Sequence, residues 1–268
     1  MASRIPEHMP ADESAARPPE TAPTHGGAPR ISVIIPAYNE ERYLGPTLES
    51  VARAADAHHL SHGARDEVVV VDNNSADRTS AVARAHGARV VFEGRNNIAA
   101  ARNRGARAAR GELLLFLDAD DHLSPNFLAL VDDAMRSGAC VGGGARIVWS
   151  TRSPWVSAFD AAGNGIRRLL GVSNAVPFTA RETFAQVGGF DERYYAGEDM
   201  KFAVALRRWG RRRGLAFRVP AEGHVLKSTR KFESHGGAVV VLGLVAFALS
   251  PWLVRSKPAC FFWYEGRR

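Results

Sequence analysis

The sequence predicts an α/β protein in which helices cover an open, mostly parallel sheet. Two observations predict this fold class. From residue 31 to residue 137, short aliphatic runs alternate with segments that have a helical spacing of apolar residues. Three of the aliphatic runs also end in polar clusters, at 37–41, 72–77 and 118–122. Ligands of open parallel sheets bind outside the carboxyl ends of the strands, so these clusters predict a common site.

The first half of the chain contains four predicted strands and three predicted helices. The strands are 31–35, 68–71, 89–92 and 113–117, which are rich in β-branched residues or leucine. Pro36 is predicted to end the first strand, because proline lacks the N–H group that a sheet ladder uses. The helices are 41–57, 79–86 and 97–109. The histidine-rich stretch AHHLSHG at 57–63 is predicted to be an exposed loop, not a metal site.

Beyond residue 138 the alternation becomes less regular. CVGGGARIVW at 140–149 is predicted to be one strand interrupted by glycines. A helix over 153–170 follows, and then a short strand, a helix and a loop within 175–200. A further helix is predicted at 201–209, and GLAFRVP contains the last strand. The two halves together are long enough to bury a sizeable core.

The basic composition admits several classes of partner. The net charge is +7 and the isoelectric point is about 9.9, with arginine supplying most of the positive charge. Nucleic acid, an anionic membrane and phosphorylated substrates would all suit this charge. The strands are aliphatic and lack the exposed aromatics of RNA-binding sheets, so nucleic acid is not expected. Cys140 and Cys260 are far apart, which excludes a disulfide scaffold and favours a reducing, cytoplasmic compartment.

Three regions of the chain differ in composition. Residues 1–29 have no apolar core and are predicted to be a disordered leader, whereas 30–232 are predicted to form the folded domain. In the tail, 233–268, the run 238–254 has 17 uncharged residues between basic flanks, the lower limit for crossing a bilayer. We therefore expect the tail to associate with the inner face of a membrane, with a buried core helix as the alternative. The basic run within 207–213 is either a solvated face or a second contact with anionic lipid.

The stretch LLLFLDADDHL brings three carboxylates to the end of a predicted core strand. In an extended segment Asp118 and Asp120 would point to one side and Asp121 to the other. Two carboxylates on one side make a hard oxygen site that suits Mg²⁺ or Mn²⁺, which take further ligands from phosphate. The alternative is a solvated turn before a helix.

Two other acidic motifs are ambiguous when each is considered alone. Asp72 ends a predicted strand and is followed by Asn73, Asn74 and Ser75. Its carboxylate could bind a pyrimidine N–H or a ribose, or it could close an Asx-turn. Glu198 and Asp199 could supply a catalytic base, or they could cap the helix that follows them.

Five blocks in the same order carry a resemblance to a known family. They are SVIIPAYNEE, VVVVDNNSADRT, IAAARNRGA, LLLFLDADD and VGGFDERYYAGEDM. In this order they resemble a family 2 glycosyltransferase with a GT-A fold, over about residues 30–232. The resemblance implies transfer of a sugar from a nucleotide-diphosphate donor, with inversion at the anomeric carbon.

The resemblance also implies a role for each matching residue. The residues implied to bind the nucleotide sugar are Pro36, Tyr38, Glu40, Asp72, Asn74, Arg102, Asn103, Asp118 and Arg230. Among them Asp72 would hold the base, and Asp118 would lie near the ribose. Asp120, with Asp118, would hold the metal that bridges the diphosphate. Glu198 and Asp199 match a catalytic pair in which Asp199 is the general base.

The C-terminal end of the folded domain matches the family less closely. Lys227, Ser228 and Arg230 resemble a phosphate-binding turn, although Thr229 stands where many relatives have proline. The leaving group is a nucleoside diphosphate, so a metal and arginine would offset its charge and one base would suffice.

The sequence thus predicts a metal-dependent inverting glycosyltransferase with Mg²⁺ or Mn²⁺ as cofactor. A UDP-sugar is the favoured donor and a GDP-sugar is left open, and the acceptor is a hydroxyl, favoured to be lipid-linked. One alternative is a nucleotidyltransferase acting on a sugar phosphate, but PAYNEE lacks the glycine-rich basic loop of that class. The other alternative is a non-catalytic nucleotide-binding protein.

Overall fold

The computed structural model of the chain describes residues 28–240, 242 and 250–260. The predicted leader, except for its last two residues, lies outside the described residues, and so does the middle of the apolar run 238–254. No helix within the described residues is long and apolar enough to cross a lipid bilayer.

Within the described residues, ten strands form two sheets. In chain order they are β1 (Ile31–Ala37), β2 (Asp66–Asp72), β3 (Arg89–Phe92), β4 (Leu113–Phe116), β5 (His122–Leu123), β6 (Cys140–Gly143), β7 (Ile147–Trp149), β8 (Phe178–Ala180), β9 (Ala216–Arg218) and β10 (Val225–Lys227). The larger sheet has seven strands in the order β3-β2-β1-β4-β8-β6-β9, and the smaller has the order β5-β10-β7.

Eight helices surround these sheets in the part of the chain that the structure describes. They are α1 (Leu44–His62), α2 (Thr79–Ala85), α3 (Ile98–Ala108), α4 (Phe127–Arg136), α5 (Pro154–Leu170), α6 (Arg181–Val187), α7 (Glu198–Arg211) and α8 (Arg230–His235). Two short 3₁₀ helices follow, at Pro251–Arg255 and Pro258–Cys260.

The strand directions confirm the prediction of an open, mostly parallel sheet. β1 pairs in parallel with β2 and β4, β2 with β3, and β6 with β9, whereas β8 is antiparallel to both β4 and β6. In this register Ala37 lies opposite Asp72, and Ile34 lies opposite Phe116. The carboxyl ends of β1, β2 and β4 therefore meet at one edge of the sheet, as the polar clusters predict.

Two apolar layers cover the two faces of the larger sheet. Val33 and Ile35 of β1 pack in one layer with Leu48 of α1 and Phe127 of α4. Ile34, which points to the other face, packs in the second layer with residues of α3, α6 and α7. Alternate residues of a strand point to opposite faces, so a continuous aliphatic strand is what a sheet buried on both sides requires.

Three local predictions of the first half are corrected. β1 runs to Ala37, because Asn73 N donates a hydrogen bond to Ala37 O at 2.8 Å and continues the ladder past Pro36. The predicted loop at 57–63 belongs to α1 up to His62. His58 is completely buried, and its ring nitrogens contact Asp66 Oδ2 at 2.7 Å and Asp132 Oδ2 at 3.1 Å. Carboxylates from β2 and α4 thus make burial of this imidazole favourable.

The second half differs from the prediction in the assignment of its strands. The stretch predicted as one glycine-interrupted strand forms two strands, β6 in the larger sheet and β7 in the smaller. The helix predicted at 201–209 begins earlier, so that Glu198 and Asp199 lie in the first turn of α7. β5 and β10 are not predicted, because strands of two and three residues are held by their neighbours and leave little periodicity in the sequence.

Candidate active site

The turn at 118–121, which follows β4 and is called the acidic turn below, brings its carboxylates into contact with basic side chains. Asp118 Oδ1 accepts a hydrogen bond from Arg102 Nη2 at 2.7 Å, and Asp118 Oδ2 accepts one from Lys227 Nζ at 3.0 Å. Asp120 Oδ2 lies 3.1 Å from Arg230 Nη2. Three cations from α3, β10 and α8 therefore offset the charge repulsion at the end of this strand.

The prediction that Asp121 points away from Asp118 is corrected. Asp121 N donates to Asp118 O at 3.2 Å, so the backbone turns here and the alternation of an extended strand does not apply. Asp121 Oδ2 accepts a hydrogen bond from Lys227 Nζ at 2.6 Å, and Asp121 Oδ1 accepts one from Ser228 N at 3.2 Å. Burial raises the pKa of Asp121 to about 7, although Lys227 acts in the opposite direction.

Arg230 joins the first loop of the fold to the acidic turn. Its Nη1 donates to Glu40 Oε2 at 2.6 Å, and its Nη2 donates to Glu40 Oε1 at 2.8 Å, so the two side chains form a bidentate ion pair. The guanidinium also lies 4.3 Å from the centre of the Tyr43 ring. Glu40, Asp120 and Arg230 thus come together although 190 residues separate the first from the last.

Arg102 connects the acidic turn to the Glu-Asp pair. Its Nη1 donates to Glu198 Oε1 at 2.5 Å while its Nη2 is bound to Asp118. The side chain is buried, and its Nε has no hydrogen-bond partner among the described residues. Burial raises the pKa of Glu198 to about 7, and the charge of Arg102 opposes the shift. Glu198 therefore anchors Arg102 rather than facing solvent.

Asp199 is held by a residue that no sequence motif indicates. Asn174 Nδ2 donates to Asp199 Oδ2 at 2.9 Å, and Met200 N donates to Asp199 Oδ1 at 2.6 Å. The carbonyl oxygen of the Asn174 side chain is buried and has no partner among the described residues. The sequence signal is weak, because Ser173-Asn174 is only a polar pair in the apolar stretch GVSNAVPF.

Asp72 closes the loop after β2 by a hydrogen bond from the N–H three residues on, whereas an Asx-turn uses the N–H two residues on. Asp72 Oδ1 accepts from Ser75 N at 2.8 Å, and Asp72 Oδ2 accepts from the Ser80 hydroxyl. Asn74 has a left-handed φ of 68°, and its Nδ2 donates to Asn96 Oδ1 at 2.9 Å, at the rim of the sheet edge. Both residues lie at the carboxyl end of β2, as predicted.

Asn103 turns away from the acidic turn to which Arg102 binds. Its Nδ2 donates to Phe190 O at 2.8 Å and to Glu192 Oε1 at 2.9 Å, and its Oδ1 accepts from Phe190 N at 2.9 Å. Asn103 therefore fastens α3 to the loop before α7. Pro36 and Tyr38 are at the other side of the site, with Pro36 buried opposite Val71 and Tyr38 directly after β1.

The residues of the site fit a divalent cation only if a ligand supplies further oxygens. Among the described residues, no group of three or more His, Cys, Asp or Glu side chains could hold a metal by itself. Carboxylates nevertheless outnumber cations at the site. The carboxylates are Glu40, Asp118, Asp120, Asp121, Glu198 and Asp199, and the cations Arg102, Lys227 and Arg230 contact the first five of them. A diphosphate would add negative charge and hard oxygen ligands together.

Comparison with known sequences decides the family. The sequence model of glycosyl transferase family 2 matches residues 32–186, more than half of the chain. The chain belongs to this family. It is 30% identical over 194 residues to a PGL/p-HBAD biosynthesis glycosyltransferase of Mycobacterium bovis (strain BCG / Pasteur 1173P2), covering 66% of this chain and 69% of the relative. The match spans only 28% and 54% of the length of two other curated relatives.

Solved structures show that this family 2 glycosyltransferase has the GT-A fold. Staphylococcus aureus TarS 1-349, in complex with UDP-GlcNAc, is similar with a TM-score of 0.59 and 19% identity, over 75% of this chain and 59% of that one. Glucosyl-3-phosphoglycerate synthase from Mycobacterium tuberculosis, with Mn²⁺, UDP and glucosyl-3-phosphoglycerate, is similar with a TM-score of 0.56 and 22% identity, over 81% and 79% of the two chains. At these identities the likeness establishes the fold alone.

Proposed function

We propose that the chain transfers a sugar from a nucleotide-diphosphate donor to an acceptor hydroxyl, with inversion at the anomeric carbon. The observation that carries the proposal is the continuous chain of contacts from Asp118 through Arg102 to Glu198, beside Asp199. It joins the carboxyl end of β4, where ligands of such sheets bind, to a carboxylate that can accept a proton. Membership of glycosyltransferase family 2 favours glycosyl transfer over nucleotidyl transfer.

The donor's nucleotide would occupy the carboxyl ends of β1 and β2. Pro36, Tyr38 and Glu40 follow one strand, and Asp72 with Asn74 follow the other. Asp72 is already held in one orientation by Ser75 and Ser80, so it would present a fixed carboxylate to the base or ribose. A UDP-sugar is favoured, because TarS and the glucosyl-3-phosphoglycerate synthase are described with UDP-GlcNAc and UDP.

The diphosphate would lie against Arg102, Lys227 and Arg230. These three cations contact the carboxylates of the acidic turn, and Arg230 also holds Glu40. As the glycosidic bond breaks, negative charge develops on the leaving diphosphate, and fixed cations stabilise that charge. Asp120, with Asp118 beside it, would hold Mg²⁺ or Mn²⁺ together with phosphate oxygens. Such an ion would withdraw electron density from the leaving diphosphate.

Asp199 is the proposed general base. One of its oxygens is oriented by Asn174 and the other by Met200 N. The acceptor hydroxyl would give its proton to this carboxylate while its oxygen attacks the anomeric carbon from the face opposite the diphosphate. One base and a good leaving group are sufficient for a single displacement, which inverts the configuration. Glu198, bound to Arg102, would position the arginine and not exchange the proton.

The acceptor is proposed to be a lipid-linked hydroxyl that is reached at the inner surface of a membrane. The apolar run 238–254 with its basic flanks supports this proposal. We accordingly propose the division of the chain that the sequence predicts, with a leader at 1–29, a catalytic domain at 30–232 and a membrane-associating tail at 233–268.

Asp199→Asn tests the proposed base with the full chain. The variant should bind the donor as the wild type does, because an amide has nearly the same shape as a carboxylate. It should release nucleoside diphosphate from a panel of UDP- and GDP-sugars roughly 10²- to 10⁴-fold more slowly, because an amide accepts no proton. Asp56→Asn, at an exposed position of α1, is the matched control. If Asp199→Asn kept its turnover, the base would lie elsewhere, and a product that retains configuration would exclude the single displacement.

A further inference from the structure

We propose that the outward face of α5 binds an anionic lipid surface. α5 is well delimited, since Ser153 Oγ accepts a hydrogen bond from Val156 N at 3.2 Å and Gly171 ends the helix with a left-handed φ of 61°. Of its 17 residues only Val156 is buried. Half-buried Phe159 packs edge-on against the rings of Trp149 and Phe232, with ring centres 5.7 Å and 5.2 Å apart, so the packing of α5 is confined to one side of the helix.

The apolar residues of α5 form one stripe on its exposed side. Trp155, Ala158, Ala162, Ile166 and Leu169 follow each other at intervals of three or four residues, so they lie on one face of the helix. Trp155 is 48% exposed, Ile166 is 51% exposed and Leu169 is 87% exposed. A helix on the surface of a soluble domain normally turns such a stripe towards the core, whereas among the described residues this stripe stays largely exposed.

The inward side of α5 carries Val156 and Phe159 and also polar residues near the proposed catalytic base. Arg167 Nη2 donates to Asp160 Oδ1 at 3.0 Å and to Asn164 Oδ1 at 2.7 Å. Burial lowers the pKa of Arg167, and the charges of Asp160 and Asp199 partly offset this shift. The polar residues are thus occupied with one another beside the site, and the apolar stripe is left for a partner outside the domain.

Positive charge borders the stripe at both ends. Arg152 precedes α5, and Arg168 lies within its last turn, and both are exposed. Arg207 of α7 packs so closely against Gly171 that a β-carbon there would lie 2.9 Å from the guanidinium. Asp160 is the one acidic residue of α5, and it is paired with Arg167. A helix with an apolar face that includes tryptophan, bordered by arginine, fits the interface of an anionic bilayer.

The C-terminal segment lies on the same side of the domain. A β-carbon at Gly237 would overlap the indole ring of Trp155, so the chain after α8 lies directly against the start of α5. Val239 and Leu242 beyond it are exposed, and they begin the apolar run. The stripe and the start of this run are therefore continuous, and this continuity favours lipid over an unrelated protein as the partner. This inference rests on the proposed function, and it adds that the acceptor reaches Asp199 from the lipid surface.

Vesicle flotation of the full chain tests the surface. Wild-type protein should float with vesicles of phosphatidylcholine and phosphatidylglycerol in equal parts, and much less with phosphatidylcholine alone. Ile166→Glu/Leu169→Glu should weaken binding to the anionic vesicles by at least about tenfold, equivalent to about 1.4 kcal/mol. Leu60→Glu is the matched control, because Leu60 of α1 is 86% exposed and lies in a different helix. Arg168→Glu should weaken binding independently, by changing charge and not apolar area.

The outcomes separate this inference from the proposed function. Asp199→Asn should float as the wild type does even though its turnover is roughly 10²- to 10⁴-fold slower, so loss of the base leaves lipid binding unchanged. If the double variant and Arg168→Glu both float as the wild type does, α5 is not the lipid-binding surface. If the wild type does not float and the double variant converts a dimer to a monomer in sedimentation, the stripe is an interface between two copies. If the double variant lowers the melting temperature and Leu60→Glu does not, the stripe packs within the chain. Each of these three results would overturn the inference.

Discussion

Lys227 contacts two carboxylates with one ammonium group. Its Nζ is 2.6 Å from Asp121 and 3.0 Å from Asp118. Burial lowers the pKa of Lys227, but the two carboxylates more than offset this effect and hold it above its usual range. A charged group between two like charges offsets part of the penalty of bringing them together, whereas loss of that group would leave buried charge uncompensated. Lys227 therefore makes the geometry of the acidic turn possible before any ligand arrives.

Asn174 orients Asp199, and its removal should slow the reaction. In Asn174→Ala the carboxylate loses the hydrogen bond of 2.9 Å that fixes the position of its Oδ2. We expect kcat to fall roughly 10- to 100-fold, since a misplaced base is costly. Asn126→Ala, at an exposed position before α4, serves as the control. An unchanged kcat would mean that Asn174 only supports the fold.

Three residues of α3 make contacts with three different parts of the fold. Arg102 points to the acidic turn, Asn103 holds the loop at 190–192, and Gly105 allows the helix to approach the sheet. The sequence predicts the helix, because IAAARNRGA is rich in small residues. The sequence does not show why each of these residues is small or charged, because their contacts are with residues that are distant in the chain. Gly105 shows this most directly, because its neighbours Ile34 and Val71 belong to β1 and β2.

Gly105→Ala should destabilise the protein although alanine is the better helix former. A β-carbon at Gly105 would overlap Ile34 Cγ2 and lie 2.9 Å from Val71 Cγ2, in a layer without space. Overpacking of this kind costs about 1–3 kcal/mol. Gly165→Ala in α5 is the matched control, because nothing lies within 4 Å of a β-carbon there. It should stabilise by about 0.5–1 kcal/mol. Urea unfolding measures both, and a Gly105→Ala variant as stable as Gly165→Ala would contradict the close packing.

At the scale of the whole molecule, the parallel half of the fold is readable from the sequence and the smaller sheet is not. β1, β2 and β4 are continuous aliphatic runs, and their alternation with helices predicts which ends meet. β5 and β10 depend on pairing with each other across about a hundred residues.

The residues of the site are likewise only partly predictable from the sequence. Asp118 and Asp120 are visible as a motif, whereas the pairing of Glu40 with Arg230 and of Asn174 with Asp199 arises only from tertiary contacts.

The buried carboxyl groups of the site should make the whole protein less stable as the pH rises from about 4.5 to about 7. Burial raises the pKa of Glu198 from 4.5 to about 7, so the folded protein binds a proton that the unfolded chain has released in this range. The stability from Glu198 is therefore complete below pH 4.5 and is lost as the pH passes 7. At 1.36 kcal/mol for each pH unit, its share is at most roughly 3 kcal/mol. Asp121, whose pKa burial also raises to about 7, acts in the same direction.

Glu198→Gln isolates this contribution. Glutamine keeps an oxygen that can accept the hydrogen bond of Arg102 but has no proton to lose, so the decline of unfolding free energy between pH 5 and pH 8 should become shallower. It should not vanish, because Asp121 still titrates. Urea unfolding at pH 5, 6, 7 and 8 measures the slopes. Glu182→Gln, at an exposed position of α6, should keep the wild-type slope. A Glu198→Gln variant with that same slope would show that the free energy of the site does not depend on a proton at Glu198, and that Arg102 holds the carboxylate ionised throughout.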